Sequence, residues 1–185
     1  MEIQVIRSRR KTLSVQIKEG RAVVHAPLRA SNAEISQFLQ AHRNWIETRL
    51  AESQARERAK EQIPRLTKTE IKALKDKARR VIPERAAYYA SLIGTDYGKI
   101  SIRCQKTRWG SCSARGDLSF NCLLMLTPDG VIDSIVVHEL CHRKYMNHSA
   151  RFYAEVLRVF PEYRTYQRWL KEHGEMIMVM ASEVR

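Results

Sequence analysis

The sequence lacks most of the features that sort a chain into a class at first sight. No apolar run approaches the ~20 residues needed to cross a bilayer, which excludes a spanning helix. The opening "MEIQVIRSRR" offers no apolar signal core, so secretion is not expected and a cytoplasmic location with no membrane partner is. No two of the four cysteines form a C-x-x-C pair. Cys104, Cys112, Cys122 and Cys141 are separated by seven, nine and eighteen residues, a spacing that argues against a zinc ribbon. Without a secretory start a disulfide framework is not expected either, so the thiols read as reduced and mostly buried. There is no internal repeat and no low-complexity segment. Acidic residues are in deficit, 20 against 33 Lys/Arg, which leaves a net charge of +13. The excess sits at the front: residues 1–30 hold seven basic against two acidic residues, and 67–115 hold twelve against four. After Gly116 the chain is close to neutral. A basic front half suits an anionic partner, nucleic acid or a nucleotide, but charge alone decides neither fold nor chemistry.

What is present fits a soluble globular protein. Its 185 residues suit one domain, or one with a small appendage, and its hydrophobic share of 44% supports a real core. Residues 3–26 read as short strands, "IQVIR", "TLSVQI" and "RAVVHAP", with "KEG" turning between the last two. "SNAE" at 31–34 is a capping box that opens a helix, and its polar continuation "AESQARERAKEQ" ends near Pro64. A second capping box, "TKTE" at 67–70, opens a helix that Pro83 should bend or restart and Gly94 should end. "KISIR" at 99–103 and "DLSFNCLLML" at 117–126 read as strands joined by a loop. Pro128 and Asp129 introduce the next helix, and "SARFYAEVLRVF" and "PEYRTYQRWLKEHG" close the chain as two more. The expected class is α+β. Its expected parts are 1–66, strands and a helix, and 67–185, the core that carries the chemistry.

Three of the six histidines, His138, His142 and His148, fall within eleven residues in "VVHELCHRKYMNHS". On a helix His138 and His142 differ by about 40° around the axis, so both imidazoles leave one face a turn apart. Two nitrogens so placed suit a tetrahedral Zn²⁺ at ~2.0–2.1 Å. Glu139 lies about 100° further round, near enough to take the proton of a water that the metal acidifies. The apolar "VIDSIVV" before the motif would hold this face rigidly. His148 cannot join by continuing the helix, since six residues rotate it about 240° away. The helix must therefore stop near Tyr145 and turn back, with Asn147 as the pivot. Glu155 and Glu162 are the rival third ligands, and His148 is preferred because imidazole suits zinc and the spacing is short. Cys141 faces away from the pair and reads as core.

The stretch from "TRWGSCSARGDLSFNCLLML" through "HELCH" to "WLKEHG" resembles the YgjP-like metallopeptidase family, a branch of the zincin hydrolases. The likeness runs from the first strands to about Gly174 and rests on "WGSCS", "HELCH", "NHS" followed by Phe152, and "WLKEHG". The resemblance implies a zincin-like core with a small antiparallel sheet beside the active-site helix, preceded by an N-terminal β module. It also implies one zinc ion on His138, His142 and His148, with Glu139 as general base. The three-His spacing equals that of metzincins, yet Tyr145 stands where they have a turn glycine, and no Met-turn is present. "MIMVM" at 176–180 reads as a hydrophobic tail instead. Cys122 and Tyr153 occupy positions where the family commonly has tryptophan.

Around this centre the sequence offers further candidates. Trp109 reads as a core anchor or a cleft wall. In zincins the strand before the zinc helix lines the cleft with its free edge, and "LSFNCLLML" is placed to do so. Asn121 and Tyr145 are candidate contacts to a reacting oxyanion, each with a plainer turn or surface role as the rival. Arg103, Lys106, Arg108 and Arg115 form either a solvated rim or an anion clamp. Four functions remain in play: a zinc peptidase, a metal-dependent nucleotide phosphohydrolase, a nucleic-acid-associated protease of the SprT type, and a metal-stabilised binding module. The last is weakened because a structural zinc normally has four protein ligands and has no use for Glu139.

Overall fold

In a computed structural model of the chain the described residues are 3–18 and 20–181. Their contacts divide the chain into two units, Met1–Ile63 and Pro64–Arg185. In the first unit β1 (Ile3–Ser8), β2 (Ser14–Lys18) and β3 (Arg21–Pro27) form a sheet in the order β1-β3-β2. β1 runs parallel to β3 and β2 antiparallel to it. Of the expected "KEG" turn, Glu19 lies outside the described residues, while Lys18 pairs with Arg21 and Gly20 takes the left-handed φ of 73°. Alternate residues of β3, Ala22, Val24 and Ala26, are fully buried and receive Ile35, Ile46 and Leu50 from the helices.

The helix expected from Ser31 forms with both bonds of its capping box, but it is two helices, α1 (Asn32–Ala41) and α2 (Arg43–Glu61). The break is at His42, with φ −110° and ψ 13°. Its ring Nδ1 donates to the Phe38 carbonyl at 2.8 Å and the two rings lie 4.4 Å apart. A side chain that competes for a helix carbonyl in this way favours a local stop, and no hydrophobic periodicity announces it.

The second unit begins with α3 (Lys68–Ile93), opened by the Thr67/Glu70 capping box and ended by Gly94 at φ 70°. The helix is continuous through Pro83, which neither ends nor restarts it. β4 (Ile100–Arg103), β5 (Gly110–Cys112) and β6 (Leu118–Asn121) form the second sheet, in the order β4-β6-β5. It is mixed rather than wholly antiparallel: β4 is parallel to β6, and β5 is antiparallel to it. The three-residue β5, read from sequence as loop, takes the place beside β6. The expected strand over 117–126 is shorter too. It stops at Asn121, whose side-chain oxygen accepts from Leu123 N at 3.2 Å and starts a 3₁₀ turn over Cys122–Leu126.

Then come α4 (Asp129–Cys141), α5 (Ala150–Val159) and α6 (Tyr163–Met180). The expected tail "MIMVM" is the last part of α6: Ile177 and Met178 pack on the core, and the Met180 carbonyl accepts from Leu66 N at 2.7 Å. Residues 182–185 of the tail lie outside the described residues. The α+β expectation therefore holds, with six helices and two three-stranded sheets among the described residues.

The core of this unit is built on α4. Val131, Val136, Val137 and Leu140 are fully buried, against Ile82 and Ala86 of α3, Phe120 of β6 and Phe152 of α5. A polar clamp fixes α3 to α4: Arg85 donates to Asp133 at 2.6 Å and pairs with Asp129 at 3.0 Å. The Tyr89 hydroxyl joins Asp133, and burial, then the Asp133 charge, pushes it up to about 12. Removing the arginine leaves a mostly buried carboxylate without its cation. Arg85→Ala should therefore cost roughly 1–3 kcal/mol in urea unfolding, against a few tenths for the exposed Arg79→Ala.

Candidate metal centre

Because α4 is apolar on nearly every side, it cannot roll, and His138 and His142 are held on the one face that reaches the surface. The helix ends at Cys141, earlier than the expected stop near Tyr145. The chain then turns, with Tyr145 N donating to the Cys141 carbonyl at 3.0 Å. His148 directly precedes Ser149, the N-cap of α5, so the start of the next helix fixes the third imidazole. Beneath the three lies Phe152, fully buried, with ring centroids 4.9, 4.6 and 5.0 Å from those of His138, His142 and His148.

The three imidazoles meet through their Nε2 atoms. His138 Nε2 stands 3.2 Å from His142 Nε2 and 3.0 Å from His148 Nε2. Two nitrogens bound to one tetrahedral ion at ~2.0–2.1 Å are separated by about 3.3 Å, so both of these spacings suit a ligand set, and the ligand atoms of all three lie within 4.8 Å of one another. The outward nitrogens have partners: His142 Nδ1 donates to the Tyr145 carbonyl at 3.0 Å, and His138 Nδ1 shares a hydrogen bond of 2.7 Å with the Tyr163 hydroxyl. Burial, then the neighbouring His142 and His148, lowers His138 to about 3, and burial lowers His142 as well. Both rings are thus neutral at pH 7, the state in which imidazole binds metal.

Glu139 is 6% exposed, and burial pushes its carboxyl up to about 8 against the pull of Arg108. Gly110 of β5 passes directly over it. A Cβ on that glycine would lie 2.6 Å from Glu139 Oε1, so only glycine admits the carboxylate there. Gly110, Ser111 and Cys112 form one wall of a cleft of about 280 Å³. Its floor holds Glu139 and the three histidines, and Met146 stands at its rim.

The free edge beside this cleft belongs to β5, not to "LSFNCLLML", because β6 is the central strand. Asn121 N donates to the Trp109 carbonyl and Ser113 N to the Asp117 carbonyl, which sets the alternation of the antiparallel ladder. Ser111 therefore faces Ser119 in a bonded pair, and Gly110 and Cys112 turn their N–H and C=O groups to the open edge.

The other sequence candidates are placed differently. Asn121 is fully buried, and its amide donates to the Gln105 and Arg108 carbonyls at 2.7 and 3.0 Å, so it stitches a loop and is no oxyanion contact. Tyr145 contributes its carbonyl to His142, while its ring packs on the core. Trp109 is half-buried against Gly174 of α6, where an added Cβ would come within 3.2 Å of the indole. It is an anchor. Arg103, Lys106, Arg108 and Arg115 are exposed and none lines the cleft. Glu155 pairs with Lys144 and Arg158, each at 2.9 Å, and Glu162 is the N-cap of α6; neither joins the histidines. Cys141 is fully buried, and burial raises its thiol to about 12. Phe152, Tyr163, Met146 and the β5 residues Gly110, Ser111 and Cys112 are the site residues that sequence reasoning did not assign.

One family profile, described as "YgjP-like, metallopeptidase domain", matches residues 11–72 and 61–173. No curated protein matches the chain. Solved structures similar to the chain include the metallopeptidase zymogens of Pyrococcus abyssi abylysin and Methanocaldococcus jannaschii jannalysin. They are 23% and 20% identical over 50% of this chain and 94% and 96% of theirs, with TM-scores of 0.45.

Lys144 leaves the turn between His142 and His148 and binds both the Ile93 carbonyl and Glu155, so Glu155 anchors that turn. Its hydrogen bond from Arg158, then that from Lys144, holds its carboxyl down to about 2. The folded value lies below the ordinary ~4.3, so this contribution to stability is full above about pH 4.3 and fades as pH falls toward 2. Glu155→Gln should lower Tm at pH 7, and the gap to wild type should narrow between pH 5 and pH 3 in thermal melts.

Proposed function

The chain belongs to the YgjP-like metallopeptidase family, and from that premise we propose that it is a cytoplasmic zinc peptidase acting on extended peptides. In this reading His138, His142 and His148 hold one Zn²⁺ and Glu139 is the general base. The spacing of the three Nε2 atoms, beside a buried carboxylate on the same helix, is the observation that carries it. All four residues lie in the unit Pro64–Arg185, and the chemistry is assigned to that unit. Three nitrogen donors favour zinc over the oxygen-preferring cations, and a fourth position left open distinguishes a catalytic from a structural site.

A zinc ion held there supplies Lewis acidity, both to water and to a substrate carbonyl. The protein's own part follows from the placement of its groups. Tyr145 and Tyr163 fix the rings, and the wall of β5 limits access of bulk water. A cation held beside Glu139 would favour its ionised form against the burial that raises it, and in that form Glu139 accepts a proton from the attacking water and returns it to the leaving amine. Gly110 and Cys112 offer unpaired backbone groups to which an extended chain can add as a strand. Met146, 58% exposed at the rim, gives such a chain an apolar contact. For nucleotides or nucleic acid the support is the net charge alone, and we do not extend the reading to phosphate esters.

Purified protein loaded with zinc and offered an unstructured protein such as casein should release peptides. Glu139→Gln should keep its metal and fold and lose on the order of 10²–10⁴ in kcat. Wild-type turnover in that variant would remove the general base from the scheme. Metal analysis of single alanine variants should show zinc lost from His138→Ala, His142→Ala and His148→Ala and kept by Glu162→Ala. The reverse pattern at 148 and 162 would reassign the third ligand.

A further inference from the structure

The two ligand histidines of α4 have outer partners of different kinds. Tyr145 gives His142 a carbonyl oxygen, which can only accept. That bond requires the hydrogen on Nδ1 and leaves His142 Nε2 bare. Tyr163 gives His138 a hydroxyl, 2.7 Å from Nδ1, and a hydroxyl either accepts from Nδ1–H or turns and donates to a bare Nδ1. In the second arrangement the hydrogen of His138 is on Nε2. There it lies within hydrogen-bond distance of two other nitrogens, 3.2 Å from His142 Nε2 and 3.0 Å from His148 Nε2.

We propose that Tyr163 is a two-way positioning residue: it donates to His138 when the centre is empty, so that His138 Nε2–H bonds within the trio, and accepts from His138 Nδ1–H when zinc is held. The inference rests on reading the trio as a metal centre. The exchange balances. A hydrogen leaves Nε2 for solvent, another arrives at Nδ1, the imidazole stays neutral, and the tyrosine hydroxyl turns about its C–O bond. His138 itself therefore releases no net proton.

A carboxylate or carbonyl in place of Tyr163 would only accept. It would hold His138 in the metal-binding tautomer; in the empty centre a hydrogen could then come only from His148, and the 3.2 Å contact between His138 Nε2 and His142 Nε2 would join two bare nitrogens. With the hydroxyl, the same close spacing is favourable in both states. The surroundings keep the group in place. Tyr163 is the first residue of α6, is 6% exposed, and lies parallel to His138 with centroids 6.0 Å apart and planes 15° from one another. Only the hydrogen has freedom to move.

Protein labelled with ¹⁵N-histidine tests this by long-range ¹H–¹⁵N spectra, which show the ring nitrogen that carries hydrogen. Metal-stripped wild type should show His138 as Nε2–H and His142 as Nδ1–H. With Zn²⁺ both should be Nδ1–H. Tyr163→Phe, which removes only the hydroxyl, should keep the circular dichroism of the wild type and bind Zn²⁺ about 10–100-fold more weakly in chelator competition. If metal-stripped wild type already shows His138 as Nδ1–H, the two-way role is overturned. If Tyr163→Phe binds zinc as wild type does, the positioning role is overturned. Wild-type protein that takes up no zinc would instead overturn the metal-centre reading on which both depend.

Discussion

The burial of α4 is the constraint on which the rest of the second unit depends. A helix surrounded by α3, the β5 strand, α5 and α6 has one rotational setting, fixed by Val131, Val136, Val137 and Leu140. Packing at interior density resists even small rotations, because every displaced methyl must find room elsewhere. That rigidity is transmitted to the imidazoles of His138 and His142. The geometry of the centre is thereby set by hydrophobic packing before any ion is involved.

The same burial shapes the electrostatics. Removing side chains from water disfavours their charged forms, so His138 and His142 stay neutral and the glutamate is raised. Two neutral imidazoles and a carboxyl next to them both follow from one apolar setting. Phe152 adds to it from below, excluding water from the inner side of all three rings. The fold bears a cost for holding polar groups here, and the neighbouring apolar contacts offset it.

Local chemistry was legible in the sequence where it is decided locally. Both capping boxes, the Gly94 stop and the one-face placement of His138 and His142 depend on neighbours within four residues. The turn that returns His148 could be required from spacing alone, although its position could not, since the end of α4 is set by the Tyr145 to Cys141 bond. What was not legible depends on contacts far apart in the chain. β5 is a strand only because β6 lies beside it. Asn121 stitches a loop thirteen and sixteen residues away, and Tyr163 reaches a histidine twenty-five residues earlier. The break at His42 was missed for another reason: polar competition for one carbonyl leaves no trace in hydrophobic periodicity. Gly110 has a purely steric role, and no pattern of residue types reveals which side chain will occupy the space it leaves.

The joining of α6 to the start of its own unit has a topological consequence. Leu66 N bonds to the Met180 carbonyl, and the Arg65 guanidinium bonds to the Val179 carbonyl at 2.6 Å. The described part of the second unit therefore begins and ends at nearly one point, and its chain is nearly a closed ring. Segments whose ends meet can be inserted into a host loop, or joined and reopened elsewhere, without stretching what lies between. Evolution or an engineer could move the unit that carries the three histidines as a cassette, because only two adjacent backbone positions have to be matched.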